Sequence, residues 1–397
     1  MIRLELNRKK RQLFVKEPSD VSSLQNGFYG IMKKGIIHLS PVEALYIMDI
    51  RNGHCYDDAG NEFHFNEVAS LFLKNKKLLA RYLTYKDWRD KGLVLRDPSE
   101  ASGNYGRTIM KKYASSEFSI DAFSFEGLFF PNDLITLLDD ERAGKELYER
   151  YWLGQFGTYK AAHRGRIAKL DVYETIFLLK HGNLRLKDAT IDDVRKVARK
   201  RIKFFDDMYL VYEDWRGRGY VIKTGFKFGT HFRIYFPGAA PASEVKGVAA
   251  APGEGTYMHS KHVIHVFPRK KKMIIAEWAR AIRVAHSVRK TFILAIPGKK
   301  ARAKVGERLS FLLYHRKKGG IEVPEQDEPS FAMFSLSEDE VIGGIDLAEA
   351  IEEAKRLGLD LMLAIADRES SVTYYHVKRI ELPGSQYEYY EIEWAQP

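Results

Sequence analysis

Three segments of this 397-residue chain carry side chains suited to moving protons and holding anions. The run HSKHVIHV places His259, His262 and His265 on one strand-like segment; alternation puts His259 on the face of His265 and opposite His262. The helical run RAIRVAHSVRK spaces Arg283, Ser287 and Lys290 at i, i+4 and i+7, so a small serine separates two cations on one face, the outline of a phosphate groove. Tyr235 closes the strand-like HFRIY. A histidine, titrating near about 6.5, suits proton donation to a departing oxygen. A tyrosine, near about 10, becomes a useful base only where a neighbouring cation favours its phenolate. A base, an acid and a cation are what a ribose hydroxyl needs to attack its own phosphodiester. Each residue also has a plainer reading, since strand-end tyrosines pack and lysines at helix ends complement the dipole.

Carboxylates offer a second chemistry. Glu244 and Lys246 form an E-x-K pair and Asp214 sits in a DWR segment, groups a metal-dependent nuclease would use, although the Glu244 context is that of a loop. The single cysteine, Cys55, excludes a disulfide framework and a CxxC zinc site and suggests a reducing compartment. No phosphate-binding loop and no metal-ligand spacing is present, so neither metal nor cofactor is expected.

The elements that must position these residues are repeated. YLTYKDWRDKGLVLRD at 82–97 recurs as YLVYEDWRGRGYVIKT at 209–224, and upstream GFYGIMKKGIIHLSPVEALYIMDIRNG at 27–53 resembles GQFGTYKAAHRGRIAKLDVYETIFLLKHG at 154–182. Ser40 and Asp171 are expected to N-cap the helix of each copy. Aligning Gly30 with Gly157 and Leu39 with Leu170 makes the second copy four residues longer, within YKAAHRGR. A second repeat type fills the last third, where KTFILAI and LDLMLAI each follow a charged helix and lead into aromatic strands, LSFLLYHRK and SVTYYHVKR, read as a helix plus hairpin. The stretch at 117–154 matches neither type.

Length and composition fit this plan. The chain is long enough for two or three cores, and 45% hydrophobic with 13% aromatic residues argues against disorder. An excess of 64 Lys+Arg over 53 Asp+Glu, net +11, favours an anionic partner, first of all nucleic acid. No signal-peptide-like or membrane-length apolar run occurs, so a cytoplasmic protein away from membranes is expected.

The run GYVIKTGFKFGTHFRIY, then YMHSKHVIHV, then RAIRVAHSVRKTFILAI resembles the catalytic domain of the tRNA-splicing endonucleases. Archaeal members show a lysine-rich strand ending in Tyr, a His-Ser pair opening the next strand and a Lys closing a basic helix. The resemblance covers roughly 209–296, and the repeats extend it over most of the chain. It implies cleavage of intron-containing precursor tRNA at bulge-helix-bulge junctions without metal, leaving a 2′,3′-cyclic phosphate and a 5′-hydroxyl. Tyr235, His259 and Lys290 are then the catalytic residues, and Arg283 and Arg316 the pair that sandwiches a bulge base. It also implies that an acidic turn, here Asp367 and Glu369 in ADRESS, docks into a basic pocket of another subunit, giving a homodimer. The connection FPGAAPASEVKGVAAAPGEGTYM at 236–258 is longer than the family's and reads as an inserted surface loop. Lys160, His163, Arg164 and Arg166 crowd cations into the gained loop of the second copy, where they could reach an RNA backbone.

The expected fold is mixed α/β (α+β), in repeated two-subdomain units: a degenerate N-terminal unit with linker at 1–150, a catalytic unit at 151–318 divided at 224/225, and a structural half-unit at 319–397. In the last copy, Leu359 takes the place of Lys290. Readings of another class stay open: a non-catalytic scaffold for structured RNA, or the metal-dependent nuclease.

Overall fold

The computed structural model describes residues 1–120, 123–158, 164–241, 260–298 and 308–397. His259, Lys160, His163, Glu244 and Lys246 lie outside them.

Two small sheets with the same wiring account for the first repeat. In one, Ile2–Asn7 pairs antiparallel with Gln12–Val15 and parallel with Gly53–Asp57; in the other, Phe125–Phe130 pairs antiparallel with Ile135–Leu138 and parallel with Leu184–Leu186. Both central strands alternate, burying Ile2, Leu4 and Leu6 in one and Phe125 and Phe129 in the other. The unmatched stretch 117–154 therefore supplies the opening strands and first helix of the second copy, and a division at 151 cuts through that sheet. The predicted caps hold: Glu43 N–H donates to Ser40 Oγ and Glu174 N–H to Asp171 Oδ1, each returned by the glutamate carboxylate. The DWR helices Leu78–Asp90 and Phe205–Arg216 bury the residues they share, Tyr82, Tyr85 and Trp88 against Tyr209, Tyr212 and Trp215.

The hydrogen bonds correct the alignment. Gly30 N–H donates to Glu43 and Gly154 N–H to Glu174, both at 2.8 Å. Both glycines have positive φ, and a Cβ on either would strike a backbone carbonyl, that of His38 or of Lys169. Gly30 thus matches Gly154 rather than Gly157, and the second copy is seven residues longer before its cap rather than four.

The third sheet joins everything. Its strands run in the order Val221–Thr224, Phe232–Tyr235, His262–Val266, Thr291–Ile296, Glu388–Ala395, Val372–Glu381, Asp360–Ala366, Phe331–Ser337, Phe311–Leu313, Leu95–Arg96. Met110–Lys112 lies alongside Val372–Glu381. Each half contains a parallel pair crossed by a helix, Ile275–Ser287 on one side and Gly344–Arg356 on the other, because parallel neighbours need such a crossover. The C-terminal hairpin contributes one strand to each half.

This topology overturns the expected hairpin after KTFILAI. Phe311–Leu313, from LSFLLYHRK, pairs with Phe331–Ser337 and with Leu95–Arg96 at the far end of the sheet. A boundary at 318/319 therefore falls inside the second half. The first DWR helix leads directly into a sheet strand, and the N-terminal and C-terminal thirds share one core, with Leu4, Leu45 and Trp88 clustered with Phe311, Met362 and Tyr374. Among the described residues no helix is long and apolar enough to cross a membrane.

Candidate active site

A cavity of about 600 Å³ opens between the second small sheet and the strand pair Val221–Thr224 and Phe232–Tyr235. Tyr235 and Lys290, 55 positions apart, both line it, with Ser260 between the segments that carry them. Tyr235 is buried opposite Val221; its ring centroid lies 4.5 Å from that of Trp152, with the Arg233 guanidinium 5.9 Å from the Tyr235 ring centroid. Lys290 Nζ donates to Ser260 Oγ at 3.0 Å and to Ser260 O, and sits 4.6 Å from the Phe228 ring. Burial, then the charge of Arg233, lowers the Lys290 pKa. His259 lies outside the described residues; its neighbour Ser260 lines the cavity.

The cavity is lined by an ion pair supplied by the second copies of the two repeated elements. Lys223 Nζ donates to Glu174 at 2.7 Å and to Gly154 O at 2.8 Å. Burial pushes the Asp171 carboxyl up to about 7, helped by the Glu174 charge, and burial lowers Lys223. Trp152, with φ 47°, ends its helix in the left-handed conformation and forms one wall. None of Trp152, Glu174 or Lys223 was singled out from sequence. A signal existed, because Lys223 aligns with the basic Arg96 of the first copy.

The remaining predicted residues do not converge here. The helix stops at Ser287 and Arg289 has φ 54°, so Lys290 turns away from the face that i+7 spacing assumed. Ser287 Oγ caps back onto Val284 O at 2.8 Å, and the charge of Arg283 is felt by Tyr375, a residue of the other half. Arg316 donates to Lys91 O at 3.2 Å beyond the far end of the sheet. Eight strand spacings of about 4.8 Å separate that end from Tyr235, on the order of 40 Å. Arg164 is exposed, and its carbonyl accepts from Thr158. In the acidic turn, Asp367 accepts the N–H groups of Glu369 and Ser371, and Glu369 is exposed. Arg368 between them pairs with Asp339.

The carboxylate reading gains nothing from geometry. Asp214 is engaged by Arg218, Ser385 and Tyr389, and among the described residues no three His, Cys, Asp or Glu side chains are grouped to hold a metal. Of the other histidines, His231 and His265 have ring centroids 4.5 Å apart with their planes tilted by 59°, and His262 packs between Tyr113 and Phe236.

The other half of the sheet holds a related cavity of about 520 Å³, lined by Phe28, Gly30, Arg96 and Tyr314. Pairing of Leu312 with Arg96, as Arg233 pairs with Lys223, puts Tyr314 at the place of Tyr235. Pairing of Phe331 with Asp360, as His262 pairs with Thr291, puts Leu359 at the place of Lys290. One cavity keeps the cation and the other has lost it.

A family model described as the catalytic C-terminal domain of tRNA intron endonuclease matches residues 205–305, the segment that carries Tyr235, Ser260 and Lys290. A tRNA-splicing endonuclease of Thermococcus gammatolerans is 31% identical over 148 residues, covering 35% of this chain and 78% of its own. One from Hyperthermus butylicus is 33% identical over 167 residues, covering 40% and 83%. The tRNA-splicing endonuclease of Methanococcoides burtonii is 25% identical over 352 residues, covering 72% of this chain and 94% of its own, well beyond the catalytic segment. With the two-cavity architecture and these matches together, the chain belongs to the tRNA-splicing endonuclease family.

Proposed function

We propose that this protein cleaves intron-containing precursor tRNA at bulge-helix-bulge junctions, leaving a 2′,3′-cyclic phosphate and a 5′-hydroxyl. The observation that carries the reading is the convergence of Tyr235 and Lys290 on one cation-rich cavity that the related cavity reproduces without the lysine. Tyr235 takes the proton of the 2′-hydroxyl; Arg233 and Lys290 at its rim favour the phenolate. Lys290 faces the non-bridging oxygens as charge builds on the phosphorane, and its hold on Ser260 fixes where that ammonium sits. His259 protonates the departing 5′-oxygen. Every step is proton transfer or charge stabilisation by side chains, so no metal is required. The test is Tyr235→Phe: cleavage falls by a factor on the order of 10² or more while RNA binding persists. Full activity in that variant removes Tyr235 from the chemistry, and a wild type that binds but never cleaves such RNA favours a scaffold.

In this reading the chain has two functional halves. Residues 123–298 with the strand Glu388–Ala395 form the catalytic half; 1–96 with 308–382 form a structural half. The protein acts as a cytoplasmic homodimer, with the Asp367–Glu369 turn of one protomer seated in a basic cleft of the other. The basic site is the surface around Lys203 and Lys271, close enough together that the charge of Lys203, after burial, lowers the Lys271 pKa. At the related place in the structural half, Lys77 is paired with Glu340 at 2.8 Å.

A further inference from the structure

The segment joining the two strands of the cavity wall, Gly225-Phe226-Lys227-Phe228-Gly229, presents its two aromatic rings differently. Phe228 lies under the Lys290 ammonium. Phe226 is 86% exposed, the most exposed large apolar side chain among the described residues, and it lines the same cavity. The backbone that holds it out is well tied. Gly225 N–H donates to His231 O at 2.9 Å, Phe228 N–H to Gly225 O at 2.8 Å, and Phe226 N–H to Thr224 Oγ1 at 3.3 Å. Gly229 takes φ 64°, and a Cβ on Gly225 would meet Thr230 Oγ1 at 2.5 Å. A ring fixed in water by an ordered turn contributes nothing to the core, and an apolar side chain there is a binding element in search of a face to cover.

The related cavity shows what travels with it. Aligning Arg96 with Lys223 puts Ser99 at the place of Phe226 and Glu100 at that of Lys227. The half that has Leu359 instead of Lys290 has thus also lost the exposed ring. Aromatic and lysine are present together or absent together.

We propose that Phe226 is the platform on which an unpaired base next to the scissile phosphate stacks, an inference that rests on the RNA-cleaving reading of this cavity. Thr224, two residues before it, pairs with Phe232, three residues along the strand from Tyr235. The turn therefore begins roughly 10 Å along the strand from Tyr235, beside rather than at the hydroxyl that Tyr235 deprotonates. Single-stranded and bulged RNA offers splayed bases that stack on aromatic rings without regard to sequence, and the cations around the cavity hold the backbone on either side. Phe226 binds and orients; it moves no proton.

The experiment compares wild type, Phe226→Ala and Phe226→Trp in the full chain, using a bulge-helix-bulge RNA with 2-aminopurine in the bulge beside the cleaved bond. The wild type should quench 2-aminopurine emission on binding. Phe226→Ala should lose that quench and bind about 5- to 150-fold more weakly, the range that stacking of one base supports. Phe226→Trp should restore both, the salt dependence of binding should stay unchanged because no charge is removed, and the melting temperature should not move. Wild-type quench and affinity in Phe226→Ala overturn the platform and leave the cleavage reading standing. So does a loss that Trp fails to restore, or one accompanied by a drop in melting temperature. A wild type that neither binds nor cleaves this RNA overturns both.

Discussion

Replacing Lys223 by Met should destabilise the catalytic half in a way that depends on pH. The ammonium is nearly buried against Glu174, with side-chain exposures of 12% and 4%. Removing one partner of such a pair costs about 3–5 kcal/mol because the other charge stays buried. Gly154 and Asp171 would still donate N–H groups to Glu174, which places the cost near about 3 kcal/mol at pH 8. Asp171, already pushed up to about 7 by burial and by Glu174, lies next to the uncompensated carboxylate. Without Lys223 the pair's folded pKa rises further above the unfolded carboxyl value, so the protonated form favours folding. Stability is then present at low pH and lost as pH rises; because the Asp171 carboxyl of the wild type, pushed up to about 7, also takes up its proton over this range, the penalty relative to wild type should shrink by about 1.4 kcal/mol in all between pH 8 and 6. Urea unfolding followed by tryptophan fluorescence at both pH values measures this. The double variant Lys223→Met/Glu174→Gln, which removes the uncompensated Glu174 charge, should recover most of the loss. A penalty below about 1 kcal/mol at pH 8, or one equal at pH 6, would refute the reasoning. The structural half shows why the outcome is not trivial: Glu43 makes the same two backbone contacts, with Gly30 and Ser40, while the nearby cation Arg96 is turned to Glu100 instead.

Three further outcomes are expected. Burial lowers His231 to about 4, so the unfolded chain binds a proton that the folded chain refuses; its share of the stability should be full above about pH 6.5 and fall by about 3 kcal/mol by pH 4, on top of losses from His262 and His265, which burial also lowers, and His231→Asn should make the acid-side slope shallower by that share in equilibrium unfolding. Charge reversal at Asp367 and Glu369 should dissociate the proposed dimer in sedimentation and abolish cleavage without changing the circular dichroism of the monomer; an unchanged profile with normal cleavage would leave these residues as turn formers only. Lys160→Ala or Arg164→Ala should impair a shortened-bulge substrate and spare a regular three-nucleotide-bulge one, whereas equal losses on both, or none on either, would deny the loop a role in substrate range.

What could be read from the sequence was what the chain repeats with large buried residues. Trp88 and Trp215, with the tyrosines one and two turns before them, fill equivalent cores, so the DWR units stand out and their caps at Ser40 and Asp171 follow. The first strands of the second copy escaped notice because FEGLFF and ITLL are short and share no side chains with IRLELN and QLFV beyond their alternation. Strand partners were harder still. Buried runs such as LSFLL carry no mark of which neighbour they take, and Phe311–Leu313 pairs across 216 residues of sequence, Leu312 with Arg96, rather than with the preceding strand. Within the site, the motif residues Tyr235 and Lys290 were legible. The wall supplied by Trp152, Glu174 and Lys223 was not, since it depends on how one subdomain packs on the next. The groove expected from Arg283, Ser287 and Lys290 does not form because the helix stops at Ser287, three residues before Lys290, and Arg289 turns the chain out of helical geometry.

The most direct test of the proposed chemistry is single-turnover cleavage of a bulge-helix-bulge RNA in excess chelator by wild type and Lys290→Ala, with the ends of the products identified. The wild type should cleave as fast as without chelator and leave a 2′,3′-cyclic phosphate and a 5′-hydroxyl. Lys290→Ala should bind the RNA with little change and cleave it slower by a factor on the order of 10² or more. Cleavage abolished by chelator and restored by magnesium, or undiminished in Lys290→Ala, would contradict the account.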